Sequence, residues 1–376
     1  EDPSLIYDLS TYRYENANIH RGLHFLSEVA TEQYENSRLK VKEFINAMSV
    51  SEVILTKGTT DGINLVANTM CRADMLNEGD EIIVSQLDHD SNIRPWVQAA
   101  EAKGVSVKWA KVNTQTSELD TSSVTDLLTS KTKFVAVTGA SNTLGTKPDI
   151  TAIGKAVKAN GSLFLVDGVH LTPHAVIDFK NMPADFFGFS SYKILGPHCA
   201  SFVASPALLE TLSNDKLLPS TLVVPERFEF GTLAYEIMAG VSASIDYLTT
   251  LDDQATGTRR ERLVKSLTSL EEYEQSLFDY MVKELANLPG ITIYSKAKHH
   301  TPTAYFNFKG VDAADLYKFM ATKKVNLPAH NFYALEVSRA LGLGDTGAIR
   351  AGLAPYSTKD DVDRLISGLE EYLAKS

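Results

Sequence analysis

Two short segments, Phe164-Leu-Val-Asp-Gly-Val-His170 and Ser190-Ser-Tyr-Lys-Ile-Leu-Gly-Pro-His198, decide the fold of this chain. Each lies at the end of an apolar run that has the length of a buried strand. We therefore expect Asp167 and Lys193 to emerge at the carboxyl ends of two neighbouring strands. Ligands of parallel sheets bind beyond those carboxyl ends, so the same two segments predict where the functional site lies.

Strand and helix patterns alternate over the first part of the chain. Expected strands cover residues 53–56, 81–85, 105–111, 134–138, 163–166 and 186–189, and expected helices cover residues 30–48, 60–75, 93–103 and 150–158. This alternation predicts an α/β protein with a mainly parallel sheet sandwiched by helices. After Gly231 the pattern changes to two long helices, 234–251 and 260–286, and then to short strands and helices.

A chain of 376 residues can bury two separate cores, so we expect two domains. The predicted large domain covers residues 30–250. A smaller α+β C-terminal domain, 251–376, begins with the long linking helix. Residues 1–29 are expected to form an N-terminal arm.

The composition argues against several classes of protein. Hydrophobic residues make up 44% and charged residues 22%, which is ordinary for a soluble globular protein, and no apolar run is long enough to span a bilayer. The formal net charge of −11 and the lack of a basic run disfavour nucleic acid as a partner. Two cysteines, Cys71 and Cys199, argue against a disulfide framework. With no recognisable secretory leader, these features predict a cytoplasmic protein.

An aspartate and a lysine at neighbouring strand ends are what pyridoxal 5'-phosphate (PLP) needs. The lysine amine forms a Schiff base with the aldehyde, and the carboxylate keeps the ring nitrogen protonated so that the ring can accept electrons. A carboxylate at the end of an apolar strand is costly to bury without a cation, and the ring N–H supplies one. The two segments therefore predict a PLP site in which Lys193 is the Schiff-base lysine and Asp167 the partner of the ring nitrogen.

With these motifs the chain resembles the class V aminotransferases, and among them the cysteine desulfurase and selenocysteine lyase group, over residues 13–376. The resemblance implies PLP fold type I, with residues 30–250 as the PLP-binding domain. It also implies a homodimer with shared active sites, because the segment matching residues 228–233 reaches into the neighbouring subunit's site in that family. Residues 1–29 would then include the substrate-entrance loop.

The resemblance assigns further residues to the cofactor. Lys57-Gly-Thr-Thr-Asp-Gly-Ile-Asn64 follows a strand and opens a helix, whose free N–H groups suit a phosphate. His89 matches a histidine that stacks on the ring and transfers protons, and Asn142 matches an asparagine that bonds the phenolic oxygen. His170 stands where many desulfurases have a glutamine. The cofactor-binding residues so implied are Thr59, Thr60, His89, Asn142, Asp167, His170, Ser190, Lys193 and Thr232, and the catalytic residues are Lys193 and His89.

Substrate-binding residues are implied in the same way. Arg350 matches the arginine that binds the α-carboxylate, a bidentate contact that a lysine forms poorly. Asn18-Ile-His-Arg-Gly22 resembles the loop that lines the substrate entrance, which makes His20 and Arg21 candidates. Tyr333 is the third candidate, since it lies in the stretch that matches the sulfur-accepting loop of desulfurases.

The chain departs from the desulfurase pattern in that loop. Desulfurases accept sulfur as a persulfide on a loop cysteine, whereas the matching stretch here is Leu327-Pro-Ala-His-Asn-Phe-Tyr-Ala334, with Tyr333 at the cysteine position. Neither Cys71 nor Cys199 occupies the loop. The chain also starts later than the family pattern, which indicates either a truncated start or a different N-terminal arm.

We therefore expect a PLP-dependent lyase or transferase that acts on an L-amino acid with a leaving group on Cβ. The released Lys193 amine would remove the α proton, and loss of a thiol or sulfide from cysteine, cystine or a cysteine derivative would yield pyruvate and ammonia. Three alternatives stay open: a cysteine desulfurase with an atypical sulfur acceptor, an aminotransferase or epimerase on the same scaffold, and a PLP-binding scaffold protein without catalysis. The complete set of catalytic residues argues against the last of these.

Overall fold

A seven-stranded sheet forms the centre of the larger part of the molecule in the computed structural model, which describes residues 17–20 and 22–375. The strand order is β1-β7-β6-β5-β4-β2-β3. Strands β2 to β6 are parallel to one another, and β7 is antiparallel to both of its neighbours. The prediction of a mainly parallel sheet is confirmed. The strands are β1 (Val53–Thr56), β2 (Glu81–Ser85), β3 (Ser106–Ala110), β4 (Thr132–Thr138), β5 (Leu163–Asp167), β6 (Phe186–Ser190) and β7 (Ala200–Ala204).

Helices cover both faces of this sheet because its central strands are apolar on both sides. In β4, Phe134 and Ala136 belong to one hydrophobic cluster and Val135 and Val137 to the other, as the period of two requires. The first cluster includes α2 (Thr59–Arg72), α3 (Arg94–Lys103) and α6 (Pro206–Thr211). The second includes α1 (Phe25–Phe44), α5 (Ile150–Ala159) and α7 (Tyr235–Leu248); a short helix, α4 (Thr121–Thr125), precedes α5.

A four-stranded antiparallel sheet forms the smaller part, with strand order β10-β11-β9-β8. Its strands are β8 (Ile291–Ile293), β9 (Thr303–Phe308), β10 (Ala329–His330) and β11 (Ala348–Gly352). The long helix α8 (Arg259–Ala286) packs on it together with α9 (Ala313–Thr322) and α11 (Lys359–Leu373), and α10 (Leu335–Ala340) precedes β11. Along the chain, the strands of the larger sheet precede α8 and those of the smaller sheet follow it. The proposed domain boundary at residue 250 stays a prediction.

Two of the differences from the sequence prediction have a clear physical cause. The helix expected over 30–48 begins at Phe25, because the His24 side chain accepts a hydrogen bond from the Ser27 N–H and caps it, and it ends at Phe44, before Asn46 adopts a left-handed backbone (φ 55°). Strand β7 was not predicted. Its small residues give a weak strand signal, and pairing with β1 and β6 on its two edges stabilises it instead.

A buried ion pair fixes the segment that contains Thr232. Arg38 of α1 donates to both oxygens of Glu229 at 2.7 and 3.1 Å, and Glu229 also accepts from the backbone N–H of Leu55 and the hydroxyl of Tyr34. Because every group of this pair has a partner, the charges can be buried without an uncompensated cost.

Among the helices of the described residues, none has the length and apolar character that crossing a membrane requires.

Candidate active site

A cavity of about 900 Å³ lies between the carboxyl ends of the central strands and the smaller sheet. Thr138, Asp167 and Ser190, the last residues of β4, β5 and β6, all line it. The structure thus brings together most of the residues that the sequence singled out. Those that line the cavity are Thr59, Thr60, His89, Asn142, Asp167, His170, Ser190, Lys193, Tyr333 and Arg350.

One end of the cavity is suited to a phosphate. Helix α2 begins at Thr59, and its N-cap residue, Gly58, offers no side chain to the first N–H groups. The hydroxyls of Thr59 and Ser190 are 2.7 Å apart, so the helix start and the end of β6 form one polar surface. Free helix N–H groups together with hydroxyls form a favourable anion site.

Lys193 lies in a 3-10 turn, Ser191–Ile194, directly after β6. The turn ends at Leu195, which has a left-handed backbone (φ 65°). Burial lowers the pKa of the Lys193 amine, and the nearby Arg350 cation lowers it further, while Asp167 opposes the shift. A larger fraction of the amine is therefore neutral, which is the form that attacks an aldehyde.

Asp167 is buried at the end of β5, with 3% of its surface exposed. Burial raises its pKa to about 6, although a hydrogen bond from the Val169 N–H to Oδ1 (2.9 Å) and the charge of Lys193 both oppose the rise. A buried carboxyl with a raised pKa gains from a cationic hydrogen-bond donor. The ring N–H of PLP is such a donor, so this residue fits the cofactor.

His89 is held as a neutral ring with a defined tautomer. Its Nδ1 accepts a hydrogen bond from the Ser91 N–H (3.1 Å), which assigns the proton of the neutral ring to Nε2. Burial, Lys193 and Arg350 together lower the pKa of His89 to about 4. A neutral ring beside the cavity can stack on an aromatic cofactor and exchange a proton through Nε2.

Arg350 lies on β11 of the smaller sheet, and its side chain extends to a contact with the loop that follows β4 of the larger sheet. Its Nη1 donates to the backbone oxygen of Asn142 (2.9 Å), and its guanidinium lies 4.1 Å from the centre of the Phe332 ring. The Asn142 amide donates to the Phe332 oxygen (2.8 Å), whereas its buried Oδ1 has no hydrogen-bond partner within residues 17–20 and 22–375. Arg350 is thus oriented by two contacts, with guanidinium N–H groups left for a carboxylate.

The loop from His330 to Ala334 is bound at two points to the larger part of the molecule. Phe332 is bound by Asn142, and the oxygen of Tyr333 accepts from the Asp90 N–H (2.7 Å). Phe332 and Tyr333 both have left-handed backbones, with φ of 52° and 59°. Such conformations are unfavourable for non-glycine residues and persist where neighbouring contacts enforce them. The Tyr333 ring lies 5.5 Å from His89.

Two predicted residues, His20 and Thr232, are not among the described residues that line this cavity. His20 forms a 3.0 Å ion-pair contact with Glu35 of α1. Thr232 lies in a separate surface depression with Ala17 and Asn18. Arg21 lies outside the described residues. Their proposed roles at the entrance and in a neighbouring subunit's site stay predictions.

Sequence reasoning missed an ion-pair chain at the mouth of the cavity. Arg94 contacts Asp90 (2.8 Å) and Glu336 (2.5 Å), and so joins the larger part of the molecule to α10. The spacing of four residues between Asp90 and Arg94 signals a local pair. Nothing in the local pattern could identify Glu336, because its contact with Arg94 depends on the tertiary fold.

Comparisons with known proteins agree with this geometry. The family model for aminotransferase class V matches residues 3–365. A probable cysteine desulfurase from Halalkalibacterium halodurans is 33% identical over 372 residues, covering 96% of this chain and 87% of that protein. A cysteine desulfurase from Serratia proteamaculans is 34% identical over 386 residues, covering 98% of this chain and 90% of that protein.

Solved structures give the same result. The apo cysteine desulfurase from Thermococcus onnurineus matches with a TM-score of 0.88 and 26% identity, over 99% of this chain and 92% of that chain. The Escherichia coli cysteine desulfurase CsdA matches with a TM-score of 0.87 and 27% identity, over 100% and 92%. The predicted family, fold type and cofactor are confirmed. The chain belongs to the class V aminotransferase family of PLP-dependent enzymes, and within it resembles the cysteine desulfurases.

Proposed function

We propose that this protein is a PLP-dependent C–S lyase that cleaves cysteine, cystine or a cysteine derivative by β-elimination. The feature that carries the proposal is the loop from His330 to Ala334, in which the resemblance to desulfurases aligns Tyr333 with their loop cysteine. Its contacts with Asn142 and Asp90 bind it at two points to the larger part of the molecule. A loop without a thiol and fixed in this way favours release of the sulfur product into solution.

Different residues of the cavity would bind the cofactor and the substrate. Thr59, Thr60 and Ser190 would bind the phosphate, and Asp167 would accept the hydrogen bond of the ring nitrogen. Bound PLP supplies a ring that accepts the electrons of a bond broken at the substrate's α carbon. Arg350 would bind the α-carboxylate, and the Lys193 amine would take the α proton. His89, with its proton on Nε2, would donate a hydrogen bond to the leaving sulfur.

The two cysteines support elimination rather than persulfide transfer. Cys199 is buried, and burial raises the pKa of its thiol to about 11, although its hydrogen bond with the Ser191 hydroxyl opposes the rise. Burial also raises the pKa of the Cys71 thiol. A thiol that stays protonated is a poor acceptor of sulfur, because the thiolate is the reactive form. Neither cysteine is among the described residues that line the cavity.

Product analysis tests the proposal directly. The PLP-loaded protein is incubated with L-cysteine or cystine, and pyruvate, ammonia, alanine and protein-bound sulfur are measured. Pyruvate and ammonia in equal amounts are the expected result. Alanine with sulfur retained on the protein would instead establish a desulfurase with an atypical acceptor. Formation of a keto acid only when a second 2-oxo acid is present to accept the amino group would establish an aminotransferase, and formation of the D-amino acid would establish an epimerase.

Tyr333 is expected to influence which side chain the site accepts. Its ring lies beside His89, and the residue lines the cavity with 72% of its surface exposed. Tyr333→Ala should change the ratio of kcat/KM between cysteine and a bulky cysteine conjugate by about tenfold, the effect of one lost apolar contact. Tyr356→Ala is the matched control, since Tyr356 is 75% exposed and is not among the residues lining the cavity. An unchanged ratio in Tyr333→Ala would remove Tyr333 from the substrate site.

The proposal includes a homodimer with shared active sites. Four large apolar side chains are 65–95% exposed along the segment that precedes Thr232, which is unusual for a surface in contact with water. The same segment is anchored by Glu229 to α1, so it is presented as an ordered surface. A second subunit would cover it and could receive Thr232 at its phosphate end. The exposed residues are Leu217, Leu218, Leu222 and Val223.

A further inference from the structure

The ion-pair chain of Arg94, Asp90 and Glu336 joins the wall of the cavity to the helix that follows the loop from His330 to Ala334. Arg94, the first residue of α3, contacts Asp90 (2.8 Å) on its own segment and Glu336 (2.5 Å) in the first turn of α10. Arg94 and Asp90 line the cavity. The chain therefore links two residues of the cavity wall to a helix that begins directly after the loop.

The position of Arg94 is not explained by its own helix. The dipole of a helix opposes a cation at the N-terminus, and Arg94 stands at the N-terminus of α3. The side chain of Arg94 is 35% exposed, that of Asp90 29% and that of Glu336 18%, so water screens the three charges only in part. The two carboxylates compensate for the unfavourable place of Arg94, which indicates that it serves the contact between the two segments.

Asp90 and Glu336 lie close enough to repel each other. Burial is the largest cause of the raised pKa of Asp90; Arg94 opposes the rise, and the negative charge of Glu336 adds to it. A second cation of α10, Arg339, is 3.8 Å from Glu336, but it is 48% exposed and pairs with Asp345 at 2.8 Å. Without Arg94, the carboxylates of Asp90 and Glu336 would therefore repel each other across the two segments.

The same part of the cavity wall also binds Tyr333. The backbone N–H of Asp90 donates to the Tyr333 oxygen (2.7 Å), and the Tyr333 ring lies 5.5 Å from His89. The left-handed backbone of Tyr333 (φ 59°) persists where neighbouring contacts enforce it. Glu336 follows three residues later, so this hydrogen bond and the ion-pair chain hold the two ends of one short segment.

We propose that Arg94 is a positioning residue for substrate specificity, which through Glu336 sets where the Tyr333 side chain lies in the cavity and so which cysteine derivatives the site accepts. The inference rests on the proposed function, in which Tyr333 influences the choice of substrate. The buried Val337 also anchors α10, so loss of the ion pair should displace the first turn of this helix without detaching it. The expected effect is therefore smaller than that of Tyr333→Ala.

The test compares kcat/KM for L-cysteine and for S-benzyl-L-cysteine, with pyruvate as the measured product. Arg94→Gln should change the ratio of the two values in the same direction as Tyr333→Ala, by about threefold, which is the size of effect that a partly exposed ion pair supports. Glu336→Gln should act in the same direction and more weakly, because it leaves Arg94 paired with Asp90. In the Tyr333→Ala background neither variant should change the ratio further, since both act through Tyr333.

Amide hydrogen exchange gives a second readout that needs no substrate. Residues 330–340 should exchange faster in Arg94→Gln and in Glu336→Gln than in the wild type, because the start of α10 opens more often. Lys147→Gln is the matched control. Lys147 also forms a partly exposed ion pair, with Glu271 of α8 (2.8 Å), but neither residue is among those that line the cavity. This control should leave the ratio and the exchange as in the wild type.

The outcomes separate the inference from the proposed function. An unchanged ratio or unchanged exchange in Arg94→Gln would overturn the inference. A change of ratio that persists at full size in the Tyr333→Ala background would also overturn it, because Arg94 would then act on the substrate directly. Absence of pyruvate from both substrates with the wild type would instead overturn the proposed function, and this result needs no variant.

Discussion

Lys193→Ala is expected to remove the yellow colour that PLP gives when bound to a lysine and to lower kcat by at least about a thousandfold, because one residue supplies both the covalent link and the base. The structure provides the reason for choosing this lysine. It is half-buried in the turn after β6, and burial and Arg350 lower the pKa of its amine. Absorbance spectra of the purified wild type and variant, recorded after dialysis against PLP-free buffer, measure the first effect.

Lys193→Arg separates covalent chemistry from charge. The arginine keeps a cation at this position but cannot act as a neutral amine, because its guanidinium stays protonated. It should therefore be as colourless and as inactive as Lys193→Ala. If Lys193→Arg kept the band or the activity, Lys193 would act only as a charge and another amine would hold PLP. Lys180→Ala, an exposed lysine outside the cavity, should behave as wild type.

The sequence predicted those parts of the fold that depend on local patterns. Alternating apolar strands and amphipathic helices were sufficient to predict the sheet, because helices pack on both faces of its central strands. Strand β7 was missed because its stability comes from pairing with β1, which lies far away in the sequence. The start of α1 was missed because a histidine is an unusual N-cap.

In the site, too, local patterns predict some residues, whereas others depend on contacts between distant segments. Asp167, Ser190 and Lys193 could be predicted because each ends or follows an apolar strand, and strand ends share one edge of the sheet. The contacts between distant segments around these residues could not be predicted. Glu274 lies on the apolar stripe of its helix, four residues after Leu270 and three before Leu277, so spacing indicates its burial, but only the tertiary fold places it against His174. The contact of Phe332 with Arg350 likewise depends on two separate segments that fold together.

Asp167→Asn is expected to weaken PLP binding and lower kcat by about a hundredfold or more, since an amide cannot keep the ring nitrogen protonated. The carboxyl is positioned for that contact by its place at the end of β5 and by the hydrogen bond from the Val169 N–H. An asparagine can accept the same backbone hydrogen bond, so the local structure should be preserved. PLP affinity by equilibrium dialysis, together with kcat for the substrate found by product analysis, measures both effects.

The PLP-free protein should respond to the same substitution in the opposite direction. Burial raises the pKa of Asp167 to about 6, above its value in the unfolded chain, so its ionisation costs folding free energy as the pH rises between these two values. At about pH 8 the cost is at most about 3 kcal/mol, and Asp167→Asn removes it. The variant should therefore unfold at a higher denaturant concentration than wild type at that pH, and this advantage should vanish below about pH 4.

Opposite effects on stability and on PLP binding would identify Asp167 as a residue retained for the cofactor at the expense of the empty fold. Asp185 provides the control, because it too is a partly buried aspartate with a raised pKa whose carboxylate accepts a backbone N–H, that of Phe164, but it lies outside the cavity. Asp185→Asn should leave PLP affinity unchanged. If Asp167→Asn destabilised the PLP-free protein at high pH and bound PLP as wild type does, the carboxyl would serve the fold rather than the ring nitrogen.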